Sequence, residues 1–147
     1  MRVVVQRSKN SKVLVNNKIV GSIDKGIVLL VGFTNDDTKE DIDYIVKKVL
    51  NLRIFDDSNG VMNLSIKDIN GKILSISQFT LYADTKKGNR PSYINAMKGE
   101  EAIKLYEVFN DELRKEVDVE TGVFGAEMDV EIHNDGPVTI LIDSKVR

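Results

Sequence analysis

The chain contains no cysteine and a single histidine, His133. The first shortage excludes disulfides, thiolate metal sites and every mechanism built on a cysteine nucleophile. The second excludes a zinc site assembled from several histidines. None of the glycines falls in the spacing of a phosphate-cradling nucleotide loop, so no metal and no cofactor is expected. No apolar stretch approaches the roughly 18 residues of a membrane span. The opening run Met1-Arg2-Val3-Val4-Val5-Gln6-Arg7 is too short for a secretory signal; it reads as a strand, and the expected compartment is the cytoplasm. With a net charge of −2, the chain also lacks the excess of Lys and Arg by which proteins grip long phosphate backbones. Contact with RNA should be small and local, and nothing points to DNA.

What is present suits one α/β domain over residues 1–147. Val3 to Arg7, Lys12 to Val15 and Lys18 to Ile23 read as strands, with Asn16-Asn17 as a hairpin turn between the last two. Gly26 to Phe33 is an apolar run of strand length, expected to be buried on both faces. Ile42, Ile45, Val46, Val49 and Leu50 then fall at helical spacing behind a cap from Thr38 and Asp41. A second amphipathic helix is expected from about Glu100 to Val117, with Ala102, Leu105, Tyr106, Phe109 and Leu113 on its stripe. Lys72 to Leu81 reads as a central strand. Met128, Val130 and Ile132 alternate with acidic residues as in a half-exposed strand, and Val138 to Ile142 reads as the last.

Two segments depart from this ordinary pattern. Ser77-Gln78-Phe79-Thr80-Leu81 puts polar groups at the end of the apolar run from Ile73. Period-2 alternation would place Gln78 and Thr80 on one face, and Ser77 and Phe79 on the other. A strand end offering a hydroxyl, an amide and backbone N–H groups can cradle the charge that develops on an ester oxygen during acyl transfer; equally, these residues can simply fill strand positions. Asn134-Asp135-Gly136-Pro137-Val138-Thr139 places one of only two prolines between β-rich stretches. Proline lacks an N–H and fixes its φ, while glycine permits close backbone approach. Without further information this is a turn.

The two segments resemble the signature motifs of the D-aminoacyl-tRNA deacylases (D-tyrosyl-tRNA deacylases). Met1 to Arg7 is similar to that family's opening strand, and Leu52-Arg53-Ile54-Phe55, Met62-Asn63-Leu64, Arg90-Pro91-Ser92 and Gly122-Val123-Phe124 follow in its order and spacing. The resemblance implies a single domain of mixed, largely antiparallel curved sheets with two helices packed on one side. It implies a homodimer whose active sites lie at the subunit interface and receive the 3′ acceptor end of an aminoacyl-tRNA. The implied reaction is hydrolysis of the ester of a D-amino acid, or of glycine, with L-aminoacyl groups rejected. Ser77, Gln78, Phe79 and Thr80 are the implied catalytic residues.

On the same resemblance, Gly136 and Pro137 form the chiral gate, joined by a cis bond and reaching into the partner's site, with Thr139 beside them and Arg7 in support. Phe124 and Met128, within Gly122 to Met128, match a pattern beside the terminal-adenosine pocket; as bare residues they could equally be core. Lys86, Lys87 and Arg90 are candidates for tRNA phosphates, against the ordinary reading of a solvated basic loop. Tyr93 stands where the family commonly has phenylalanine. Ser8 to Lys12 is more polar and basic than the family's usual continuation after Arg7. His133 could serve as a base near neutral pH, but it continues the polar face of Glu127, Asp129 and Glu131 and is read as a surface residue. Thr80 has no evident base nearby in sequence to activate it as a nucleophile.

Overall fold

The computed structural model describes residues 1–147. Asn16 and Asn17 both hold positive φ, 49° and 63°, the geometry of a two-residue type I′ turn whose twist suits the strands it joins. Those strands are longer than expected. β1 runs Arg2–Val15 and β2 runs Lys18–Gly32, paired antiparallel with one irregularity between Val13 and Leu14. The interruptions expected at Ser8 to Ser11 and at Asp24-Lys25 do not occur. Ser8 and Ser11 are buried, and their hydroxyls pair with each other. Ser8 Oγ also donates to the His133 carbonyl (3.1 Å), and Ser11 Oγ accepts the His133 N–H (2.9 Å). Polar side chains so partnered can lie inside a sheet at little cost.

The other strands are β3 (Phe55–Asp56), β4 (Met62–Leu64), β5 (Lys72–Ser77), β6 (Val119–Thr121), β7 (Asp129–Glu131) and β8 (Asn134–Asp143). The main sheet has the order β6-β5-β2-β1-β7, and β8 also pairs with β1. β8 takes the first half of β1, from Arg2 to Ser8, and β7 takes Lys12 to Leu14. β5 runs parallel to both β2 and β6, while the remaining pairings are antiparallel. β2, not β5, therefore holds the middle of the sheet.

Helices α1 (Lys39–Asn51) and α2 (Gly99–Arg114) pack on one face. α1 begins as its sequence indicates, with the Thr38 N–H donating to Asp41 Oδ2 at 2.9 Å. α2 ends three residues earlier than expected, and its Leu105 is only half-buried. Ile42, Ile45 and Val49 from α1 and Ala102, Tyr106, Phe109 and Leu113 from α2 meet Val3, Val5, Ile27, Leu29, Val31 and Ile73 in the main core. On the opposite face Val13, Ile23, Val28, Leu74 and Ile76 form a smaller core against Met128, Val130 and Ile132. Covering on both sides explains why Gly26 to Phe33 has no polar alternation. Beneath α1, the Met1 α-ammonium donates to Asp37 Oδ1 (2.5 Å) and Ser144 Oγ (2.9 Å), and Ser144 Oγ donates to Asp41 Oδ1 (2.7 Å). This buried cluster ties β1 to the segment after β8.

Candidate active site

The strand expected to reach Leu81 stops at Ser77. The Gln78 N–H makes one more bond, to the Val31 carbonyl (2.7 Å), but β2 ends at Gly32 and offers no further ladder. The chain then turns into a 3-10 helix over Phe79–Tyr82. Gly32 makes room for this turn: a Cβ there would stand 2.9 Å from Gln78 O and 3.1 Å from Leu81 Cβ. The expected face alternation beyond Ser77 is therefore lost. Instead Gln78 Nε2 donates to Thr80 Oγ1 at 2.6 Å. The N–H groups of Phe79 and Thr80 open the turn and donate to no protein acceptor, as geometry requires of the first donors of a helix. Arg2 braces the turn from β1, its Nη1 donating to Leu81 O (3.0 Å) and its guanidinium lying over the Tyr82 ring.

Ser77, Gln78 and Phe79 form one wall of a mainly apolar cleft of about 640 Å³, and Phe124 and Met128 stand on its lining as well. Gly122 lets Met128 in, since a Cβ there would collide with the Met128 sulfur. Phe124 packs on Tyr106 (centroids 5.6 Å apart), whose hydroxyl donates to Ser75 O at 2.7 Å. Burial pushes the Tyr106 phenol above its usual range, which keeps it a donor to the strand that delivers Ser77. Val31, Phe33, Met97 and Ala102 are on the lining as well. Sequence reading assigned these four no site role, because they carry the same apolar signature as the core they border. Glu127 is the one acidic residue on the lining, and it is exposed.

Gly136, Pro137, Arg7 and Thr139 lie elsewhere. Asn134 opposes Ser8 and Thr139 opposes Gln6, so residues 135 to 138 together face Arg7 alone and bulge from the sheet. The Gly136–Pro137 peptide is cis and Gly136 holds φ +127°. Both residues are exposed, as is Thr139. Arg7, largely buried, fastens the bulge: Nε donates to Asp135 O (3.0 Å) and Nη1 to Ile54 O (2.9 Å). Asn134 ties the two ends of the bulge together. Its Nδ2 donates to Thr139 Oγ1 (2.7 Å), and its Oδ1 accepts the Val138 N–H (3.1 Å). Arg2 touches the 3-10 turn and Arg7 touches the bulge. They stand five positions apart on β1, roughly 17 Å at the rise of a strand. One chain thus holds the two motifs apart.

The remaining candidates divide similarly. Lys86, Lys87 and Arg90 are exposed, on the loop closed by the Asp84–Ser92 pair and off the cleft lining. The His133 side chain is exposed and not on the cleft lining, its main chain engaged by Ser8, Lys9 and Ser11.

A family model described as D-Tyr-tRNA(Tyr) deacylase matches residues 4–143. The chain belongs to this deacylase family. It is 59% identical over 146 residues to a D-aminoacyl-tRNA deacylase of Clostridium acetobutylicum, covering 99% of this chain and 98% of the relative. It is 57% identical to a D-aminoacyl-tRNA deacylase of Geobacillus sp. (strain WCH70), covering 99% and 96%. Among solved structures, one described as c-Myc DNA Unwinding Element Binding Protein superposes with a TM-score of 0.93 at 40% identity, covering 97% of this chain and 98% of that one. A probable eukaryotic D-amino acid tRNA deacylase superposes with a TM-score of 0.83 at 21% identity, covering 96% and 97%. That last likeness shows the fold alone. No helix of the chain is long and apolar enough to cross a membrane.

Proposed function

We propose that this chain, a D-aminoacyl-tRNA deacylase, acts as a homodimer that completes each active site with the Gly136–Pro137 bulge of the other subunit. The observation that carries this reading is the shape of the two motifs on one chain: a concave cleft at Ser77 to Phe79, and an exposed, well-fastened projection at Gly136–Pro137. The projection takes no part in the lining of the cleft on its own chain, which leaves the cleft of another copy for it to complete. Two-fold symmetry would then supply both sites at once.

In this reading the cleft holds the terminal aminoacyl-adenosine, with Phe124 and Met128 beside the base. Water attacks the ester carbonyl, and the N–H groups of Phe79 and Thr80 receive the charge that develops on its oxygen. Thr80 does not act as a covalent nucleophile. Its hydroxyl is an acceptor for Gln78 Nε2, and neither a histidine nor a carboxylate hydrogen-bonds to it. A proton acceptor on the substrate itself, the 2′-hydroxyl of the terminal ribose, fits the shortage of a protein base. The Gly136 and Pro137 carbonyls of the second subunit face the aminoacyl Cα and leave no space for an L side chain. Selection then works by exclusion, and glycine, which has no side chain to exclude, is hydrolysed with the D substrates. An aminoacyl-tRNA substrate supports the cytoplasm as the compartment of this activity.

The experiment is hydrolysis of D-tyrosyl-tRNA beside L-tyrosyl-tRNA, with a metal chelator present throughout. Release from the D form alone is expected. Cleavage of both would mean that the bulge does not select, and cleavage of neither would remove the catalytic reading. A second reading, nucleic-acid binding without turnover, is favoured by the name of the 40%-identical structural relative. It predicts retention of the RNA with its ester intact.

A further inference from the structure

We propose that Phe79 and Tyr93 form a stacking platform for the penultimate base of the RNA 3′ end, the nucleotide next to the esterified adenosine. This rests on the reading that the cleft takes the terminal aminoacyl-adenosine. The chain has four tyrosines and five phenylalanines, and seven of these rings are wholly or partly buried. The two exposed rings are Phe79, 56% exposed, and Tyr93, 41% exposed. They touch each other edge to face, with centroids 5.0 Å apart and planes at 69°. Both stand on the lining of the cleft. Water gains nothing from two adjacent exposed rings, whereas a nucleobase leaving the cleft gains a flat apolar contact that tolerates any base.

The platform is held in place. Asp84 and Ser92 exchange both backbone hydrogen bonds (2.8 and 2.9 Å) immediately before Tyr93. Immediately after it, Thr34 Oγ1 donates to Asn95 O (2.6 Å) and Asn35 Nδ2 to Ile94 O (3.3 Å). Tyr93 therefore sits on a braced stretch of chain. The Asp84–Ser92 pair is also the neck of a hairpin-like loop carrying Lys86, Lys87 and Arg90, all exposed. Rings lie at the base of this loop and cations beyond them. A single strand leaving the cleft would meet an aromatic surface first and then positive charge for its phosphates. Lys86, Lys87 and Arg90 acquire a defined place in this arrangement, and the modest charge of the whole chain is no obstacle, because only two or three nucleotides are contacted.

Three substrates separate this from the alternatives: D-tyrosyl-tRNA, the same tRNA with an abasic penultimate nucleotide, and D-tyrosyl-adenosine. Tyr93→Ala should raise KM for the intact tRNA about tenfold, within the range expected for one lost base stack, with kcat little changed. The loss on D-tyrosyl-adenosine should be clearly smaller than on tRNA, and Tyr93→Phe should behave as wild type on all three. The abasic tRNA should show the same raised KM with the wild-type protein and no further loss with Tyr93→Ala, since the two changes remove one contact. An equal loss on tRNA and on D-tyrosyl-adenosine would overturn the proposal, because Tyr93 would then build the cleft or a subunit contact. Additive losses, or no loss at all, would overturn it too. If wild type hydrolyses none of the three, the deacylase reading fails, and binding of intact against abasic deacylated tRNA still tests the platform by the same comparison.

Discussion

The two motifs of this chain are built in opposite ways. The Ser77-to-Phe79 segment walls a cleft: its strand ends because β2 runs out, and the chain turns into a 3-10 helix there. The Asn134-to-Thr139 segment is convex, with four residues facing one and an arginine tying the excess chain down. The projection takes no part in the lining of the cleft on its own chain. What the difference teaches depends on the dimer proposed above, in which one chain would carry a full set of site residues and still hold only half a site. The cleft would supply donors for chemistry, and the projection a rigid main-chain surface.

Changing the projection should have the largest effect. In Gly136→Ala the new Cβ would meet Arg7 Nη2 at 2.9 Å and Val138 Cγ2 at 3.0 Å, at a φ of +127° that L residues avoid. Strain of about 1–3 kcal/mol would be relieved by moving the bulge. A displacement of that kind should lower kcat/KM on D-tyrosyl-tRNA about a hundredfold, with thermal unfolding showing a folded protein. An unchanged kcat/KM would mean that the bulge takes no part in the site.

Arg7→Ala should come next. It leaves the Asp135 and Ile54 carbonyls without their donor, a stability loss of about 1–3 kcal/mol visible in denaturant unfolding. The freed bulge should also admit L-tyrosyl-tRNA, so the ratio of D to L hydrolysis falls. If stability drops and the ratio holds, Arg7 is only a structural residue. Thr80→Ala is a smaller change at the cleft, removing the acceptor for Gln78 Nε2 while keeping the backbone donors. A loss of less than about tenfold in kcat is expected, against the millionfold scale of deleting a true nucleophile. His133→Ala should change nothing measurable in the rate near neutral pH, and a loss there would return the histidine to the mechanism.

Much of this was legible in the sequence. The Asn16-Asn17 turn, the Thr38 and Asp41 cap and the apolar stripes of both helices carry local rules that the fold obeys. The resemblance carried the mixed sheet and the family. The end of β5 was not legible, because Ile73 to Leu81 keeps a strand-like apolar pattern beyond the point where β2 can pair with it. That limit belongs to Gly32, far away in sequence. Ser8 and Ser11 misled for a related reason: their hydroxyls look like a break until each finds the other inside the sheet. The cleft lining of Val31, Phe33, Met97 and Ala102 was also hidden, since a cleft bordering the core uses the core's residues.

Complementation between two damaged chains tests the shared site most directly. Ala126→Trp would fill the cleft from a lining position, and Gly136→Ala would spoil the projection. Each variant alone should be nearly inactive on D-tyrosyl-tRNA. Dissociated, mixed and reassociated in equal amounts, they should form mixed dimers in which one site has both an intact cleft and an intact projection. Random pairing of a two-fold dimer then restores about a quarter of the wild-type rate. Recovery to that level is the result predicted here. A mixture no more active than the two variants measured separately, with mixed dimers shown to have formed, would contradict the account.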